Sequence, residues 1–160
     1  MRKPRRRICT PQAQPLQVAA VCYRHKAGST RFLLVRTTSG RWTFPKGHLE
    51  DDLFPAQVAA LEAFEESGVA GELDPRPIGT YVHRKESPRG RGSKDVAVIA
   101  FLLEVRKSAL PTESYRTPRW FTPSQAKQRL VQRRPSKYLH GIERVVDLAL
   151  SEINRKHSRS

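Results

Sequence analysis

The first 49 residues of this 160-residue chain contain no Asp or Glu, although 30 Lys and Arg against 15 acidic residues give the whole a formal charge of +15. Carboxylate chemistry therefore begins no earlier than Glu50. Cysteine is almost as scarce. Cys9 and Cys22 form no CxxC pair and are too few for a disulfide framework, which excludes a sulfur-based metal site and points to ordinary reduced thiols in a cytoplasmic protein. No apolar run reaches the length of a membrane span, and the start "MRKPRRRICTPQAQP" lacks the apolar stretch of a secretory signal. Its arginine-rich beginning weakly resembles a transit peptide, but its prolines break an amphipathic helix. The chain reads as soluble and intracellular. Internal repeats are absent, and the length suits one domain able to bury its own core.

Basic charge is abundant. Arg2, Lys3, Arg5, Arg6, Arg7, Arg155, Lys156 and Arg159 supply +8 from the two ends and leave +7 on the body. Residues 1–15 and 154–160 read as flexible basic tails around a domain at 16–153. A positive body suits a phosphate-rich partner, a small polyphosphorylated molecule before a nucleic acid.

"LQVAAVCYRH" and "TRFLLVRT", separated by "KAGS", predict a β-hairpin, and "RWTFP" a third short strand. Pro55 to Ser67 predicts a helix, with Pro at its first position, an alanine-rich interior and Gly68 as a left-handed stop. "PIGTYVHRK" and "DVAVIAFLLEV" flank the Gly- and Arg-rich "ESPRGRGSK" as a long hairpin. A short strand at "PRWFT" precedes two helices, "PSQAKQRL" and "PSKYLHGIERVVDLALSEI". The order β-β-β-α-β-β-β-α-α predicts an α/β sandwich in one domain, with helices packed on a mixed sheet.

Six of the 15 acids, Glu50, Asp51, Asp52, Glu62, Glu65 and Glu66, fall within residues 44–69. At helical spacing Glu62, Glu65 and Glu66 share one face, and Ala59, Ala60, Ala63 and Phe64 are expected on the other, against a sheet. Such like charges repel unless a cation sits among them. A hard divalent ion held by carboxylates and substrate phosphates accounts for the grouping, and the Pro-Lys-Gly turn just before the helix can bring backbone and Lys46 close to a ligand.

The stretch resembles the Nudix box, G-x5-E-x7-R-E-U-x-E-E-x-G-U with U aliphatic. Gly47, Glu62, Ala63, Glu65, Glu66, Gly68 and Val69 match seven of its nine defined positions at full spacing. "WTFPKGHLE" before it is similar to the W-x-L-P-K-G-H-x-E segment of members acting on diadenosine or diphosphoinositol polyphosphates. Leu53 and Leu61 stand where the family has a Glu and an Arg that brace the loop against the helix. Losing both together avoids an orphaned charge. Phe54, at the expected N-cap, lacks the oxygen of a Ser or Thr.

The resemblance implies a Nudix-type α/β/α sandwich and a phosphoanhydride hydrolase dependent on Mg²⁺ or Mn²⁺. It places the metal on Glu62, Glu65 and Glu66, with the Gly47 carbonyl as a further ligand, and catalysis on the same glutamates. Glu66 is the first candidate for general base, followed by Glu104 and Glu113. Lys46, Arg84, Lys85, Arg89, Arg91 and Lys94 are candidates for the outer phosphates. His48 reads more simply as a structural or surface residue. Tyr23, Tyr81 and Trp120 are able to stack on a base, although Trp42 and Trp120 equally suit the core. Two alternatives stay open: a nucleoside triphosphate sanitising pyrophosphatase, and a catalytically weakened Nudix-fold module binding nucleotide or RNA. Base preference and oligomeric state are not legible.

Overall fold

A computed structural model describes residues 16–87 and 89–158. Alternation in the first strand, β1 (Leu16–Lys26), sets the architecture: Val18, Ala20 and Cys22 point to one face of the sheet, and Ala19, Val21 and Tyr23 to the other, all buried. A strand apolar on both sides needs cover on both sides. It pairs antiparallel with β2 (Ser29–Arg36) and parallel with β6 (Ser93–Ser108), which in turn pairs antiparallel with β5 (Val69–Glu86). The mixed, seven-stranded sheet runs β3-β2-β1-β6-β5, with β3 at Trp42–Thr43. Off this path β4 (Lys46–His48) pairs with β1 and β7 (Arg119–Phe121) with β2.

Helix α1 (Pro55–Ser67) covers one face through Ala56, Val58, Ala59 and Ala63. The other face is covered by α2 (Pro123–Val131) through Ala126 and Leu130, and by α3 (Leu139–His157) through Ile142, Val145, Val146, Ala149 and Ile153. The α/β/α sandwich expected from the order of elements is present.

Four details depart from the sequence reading. "KGH" forms β4 instead of a turn, because it pairs with Gln17, Val18 and Ala19. Strand β5 begins at Val69 and runs through "LDPRP" by register shifts around Pro77, where proline cannot donate to the ladder. Helix α3 continues past Ile153 to His157, its last turn tied down where Lys156 Nζ meets Asp74 Oδ2 at 3.3 Å, so only the end of the expected 154–160 tail lies beyond it. The expected 1–15 tail lies outside the described residues. The fourth departure concerns α1. Phe64 is 48% exposed, and Glu66, at about 100° per residue, falls on the same arc as Ala59 and Ala63.

Candidate active site

That arc turns Glu66 inward, leaving it 3% exposed. Two groups from distant chain make this burial tolerable. The Lys46 backbone N–H donates to Glu66 Oε2 at 3.3 Å, and the Arg116 guanidinium lies 3.6 Å from Oε1. Burial still pushes the carboxyl up to about 7, the pull of Arg116 only partly opposing it and the charge of Glu62 adding to it. Glu62, one turn earlier and half-buried, is pushed up to about 7 by burial and then by the charges of Glu65, Glu113 and Glu50. Its carboxylate lies so close to Gly47 that an added Cβ there would come within 2.2 Å of Oε1. Glycine at 47, whose φ is ordinary, leaves the space into which the Glu62 carboxylate reaches.

Helix α1 is positioned from both ends. At its start the Gln57 side chain accepts the Phe54 N–H at 3.0 Å, doing from inside the helix part of what a capping oxygen would do. At its end Gly68 adopts φ +72 and its N–H returns to the Phe64 carbonyl at 2.8 Å. The chain leaving β6 then docks alongside: the Ala109 N–H reaches the Gly68 carbonyl at 2.8 Å, and the Glu113 N–H the Glu65 carbonyl at 3.1 Å. A 3₁₀ turn at Ser114–Arg116 follows, which places Arg116 Nε 2.8 Å from Glu113 Oε2 beside Glu66.

These groups open on one cleft of about 840 Å³. Glu50, Glu62, Glu66 and Glu113 line its acidic side, and Arg41, Lys46, Arg84, Lys85 and Arg133 its basic side, where Glu86 pairs with Arg84 at 3.3 Å, with Arg116 between. Lys46 is pushed down to about 8 by burial and by Arg41, Arg134 and Arg116, against the pull of Glu66. His83, buried, meets Gln17 Oε1 through Nε2 at 2.9 Å. Burial and the charges of Lys46, Arg134 and Arg41 push it down to about 3, so it is neutral at physiological pH. Lys85 Nζ contacts His48 Nε2 at 2.9 Å at the rim.

Of the residues singled out from sequence, Gly47, Glu62, Glu66, Lys46, Arg84 and Lys85 line this cleft. Glu65 sits beside it, half-buried, its charge felt at Glu62. Arg89, Arg91 and Lys94 are exposed at the β5–β6 hairpin tip and are not among the lining residues. Glu113 faces the cleft, whereas Glu104 is on β6, where it accepts the Tyr23 hydroxyl at 3.2 Å and pairs with Arg106. None of the aromatic candidates lines it: Tyr23, Tyr81 and Trp42 are core, and Trp120 packs on the α1 side under Arg24, 4.3 Å from its ring. Arg41, Arg116 and Arg133 were missed. The arginines carry no periodic signal, and Arg116 and Arg133 meet Glu66 and the Ser39 carbonyl only through the fold.

Comparison with known proteins bears on this arrangement. The family model of the NUDIX domain matches residues 15–140. The chain belongs to the Nudix family. Over 92 residues it is 35% identical to Nudix hydrolase 13, mitochondrial, of Arabidopsis thaliana, an alignment covering 52% of this chain and 44% of that protein. Over 100 residues it is 30% identical to diphosphoinositol polyphosphate phosphohydrolase 3-alpha of Homo sapiens, covering 61% and 59%. The chain thus spans about half the length of these Nudix relatives. Among solved structures, the binary complex of the C. elegans Ap4A hydrolase superposes with a TM-score of 0.62 at 19% identity, covering 87% of this chain and 97% of that one. The NUDIX domain of Shewanella oneidensis NrtR with ADP ribose gives 0.61 at 15% identity, covering 89% and 90%. Both likenesses are of fold. Among the described residues no helix is long and apolar enough to cross a membrane.

Among the described residues no three carboxylate, imidazole or thiol groups stand together as a ready metal cluster. The donors nevertheless fit a Nudix metal ion: five carboxylates line one cleft, and Glu62 and Glu66 are raised by burial and by repulsion from neighbouring carboxylates that a hard cation would relieve.

Proposed function

We propose that the protein is a Mg²⁺- or Mn²⁺-dependent hydrolase of a phosphoanhydride bond in a polyphosphorylated small molecule, of the dinucleoside polyphosphate or diphosphoinositol polyphosphate type. The observation that carries this is one cleft in which half-buried Glu62 and buried Glu66, both raised by burial, face a wall of cations. Glu62, Glu65, Glu66 and the Gly47 carbonyl would hold the metal ion. A divalent ion so held neutralises the diphosphate and acidifies a bound water.

The chain's own groups do the rest. Glu66, held at the cleft by the Lys46 N–H and Arg116, takes the proton of the attacking water, and Glu113 is next in reach of the cleft. Water adds to one phosphorus, the bridging P–O bond breaks, and the second phosphate leaves as a stable anion. Lys46, Arg84 and Lys85 orient the remaining phosphates by charge-assisted hydrogen bonds. With no Tyr, Trp or Phe among the lining residues, recognition rests on phosphates more than on a stacked base.

Leu53 and Leu61 favour a second reading, a weakened Nudix module that binds without turnover. Leu53 packs against the α1-side core and Leu61 is half-buried, so the missing ion pair leaves no orphaned charge. Phosphate release from Ap4A, diphosphoinositol phosphates, ADP-ribose and nucleoside triphosphates, with Mg²⁺, Mn²⁺ or EDTA, separates the readings. Metal-dependent release from the first two, exceeding that from triphosphates, is expected. Tight binding without release of any would establish the module instead.

A further inference from the structure

On the basic side of the cleft Glu86 is the one lining carboxylate, and it is engaged by Arg84 at 3.3 Å. Arg41 and Thr43 lie on the same side of the short β3 segment, while Trp42 and Phe44 turn into the core. This pins the first two toward the cleft. The guanidinium of Arg41 is kept below its ordinary value by burial, with Arg84 adding to that and the charge of Glu86 opposing it, yet it forms no ion pair among the described residues. Its Nε is buried with no hydrogen-bond partner, and the buried Thr43 Oγ1, beside the Tyr81 hydroxyl, makes no hydrogen bond of standard geometry. Behind them Arg134 is committed to the Leu130 and Trp42 carbonyls, its charge felt at Arg41. Buried donors are normally satisfied, and buried like charges normally have a counter-ion. At Arg41 the first condition fails, and Glu86, engaged by Arg84 at 3.3 Å, meets the second only from beyond ion-pair distance, on a solvent-open wall.

We propose that Arg41, Thr43 and Lys46 form an anion subsite that takes a phosphoryl group lying beyond the two joined by the scissile bond. Lys46 links the two halves of the cleft, its backbone N–H on Glu66 and its side chain among the cations. A phosphate chain starting at Glu62 and Glu66 passes Lys46 and ends on Arg41, whose fork geometry matches two phosphate oxygens. The subsite therefore selects substrates with at least three consecutive or closely spaced phosphates. Its place relative to the scissile bond rests on the hydrolase reading. Its capacity for an anion does not.

The test titrates inorganic tripolyphosphate into the full chain in EDTA by calorimetry. Binding without metal is expected, weakened at least tenfold in Arg41→Gln and less in Arg41→Lys. In Glu62→Gln it should be unchanged or tighter, because that change removes repulsion. Thermal melts of each variant, with Thr43→Val as a milder probe, separate loss of the subsite from loss of the fold. With a substrate of three or more phosphates, Arg41→Gln should raise KM at least tenfold and change kcat less than threefold. Tripolyphosphate affinity unchanged in a folded Arg41→Gln variant would overturn the subsite and assign binding to surface charge. A loss confined to kcat would overturn it as well. If no phosphoanhydride is cleaved but Arg41→Gln still abolishes tripolyphosphate binding, the subsite stands and the hydrolase reading falls.

Discussion

Glu66 shows how much one side chain can depend on residues remote in sequence. Its burial is supported by a backbone N–H twenty residues earlier and a guanidinium fifty residues later, so its charge is tolerated but not stabilised. Replacing it with Gln removes the charge and keeps the shape. The expected outcome is a loss in kcat on the order of 100-fold or more with a melting temperature equal or higher, checked by initial rates and thermal melts. Glu65→Gln, farther from the cleft, should lose less, and the difference should narrow as Mg²⁺ becomes limiting. His83 gives the pH signature. Its folded value, about 3, lies below the ordinary 6.5 of the unfolded chain, so the unfolded state takes up the proton first. Its contribution to stability is complete above 6.5 and is lost as pH falls from there toward 3. The slope is at most about 1.4 kcal/mol per pH unit and less where the open cleft screens it. His83→Gln should flatten the melting temperature between pH 6.5 and 4 relative to wild type.

Among the elements, α1 was the most legible, from Pro55 to Gly68, since proline, alanine and glycine act locally. A three-glutamate face suggests solvent, but 100° per residue already puts Glu66 on the arc of Ala59 and Ala63. What could not be read is what supports it there, since periodicity does not reveal Lys46 and Arg116. Strand β4 was hidden for a related reason: three residues of Lys-Gly-His have no strand propensity, and only pairing with β1 makes them one. The 3₁₀ turn bearing Arg116 is too short to have a period at all. Its docking to α1 is testable at Gly68, where φ is +72 and a Cβ would lie 2.0 Å from the Ala109 carbonyl oxygen. Gly68→Ala should destabilise by more than about 1 kcal/mol and lower activity too, because the segment carrying Glu113 and Arg116 begins at that contact. A melt and a rate assay on the same sample check both.

For the whole molecule, the +15 charge is unevenly spread, with Glu50, Glu62, Glu66 and Glu113 gathered on one side of the cleft and many cations exposed elsewhere. Arg89 and Arg91, at the β5–β6 tip, belong to the exposed set. Changing both to Gln should raise KM for a highly phosphorylated substrate by up to about fivefold at low salt, and the effect should vanish above physiological ionic strength. For Lys85→Gln, at the rim of the cleft and in contact with His48, a penalty should persist at high salt. A KM series in KCl distinguishes attraction at a distance from grip.

The antiparallel match of Gln17, Val18 and Ala19 with His48, Gly47 and Lys46 acts as a ruler laid against the strand that borders the cleft. A ruler can be read only at whole marks. One residue inserted between Thr43 and Lys46 either breaks the match or slides it, moving Gly47 by about 3.3 Å and turning alternate groups to the opposite side. Glu62 would then face a side chain where it now faces glycine. The hairpin tip beyond Glu86 is measured by no such scale. A residue added there should leave turnover nearly intact, whereas one added before Lys46 should silence it in a protein that still folds, which circular dichroism and a single rate measurement on the two insertions would show.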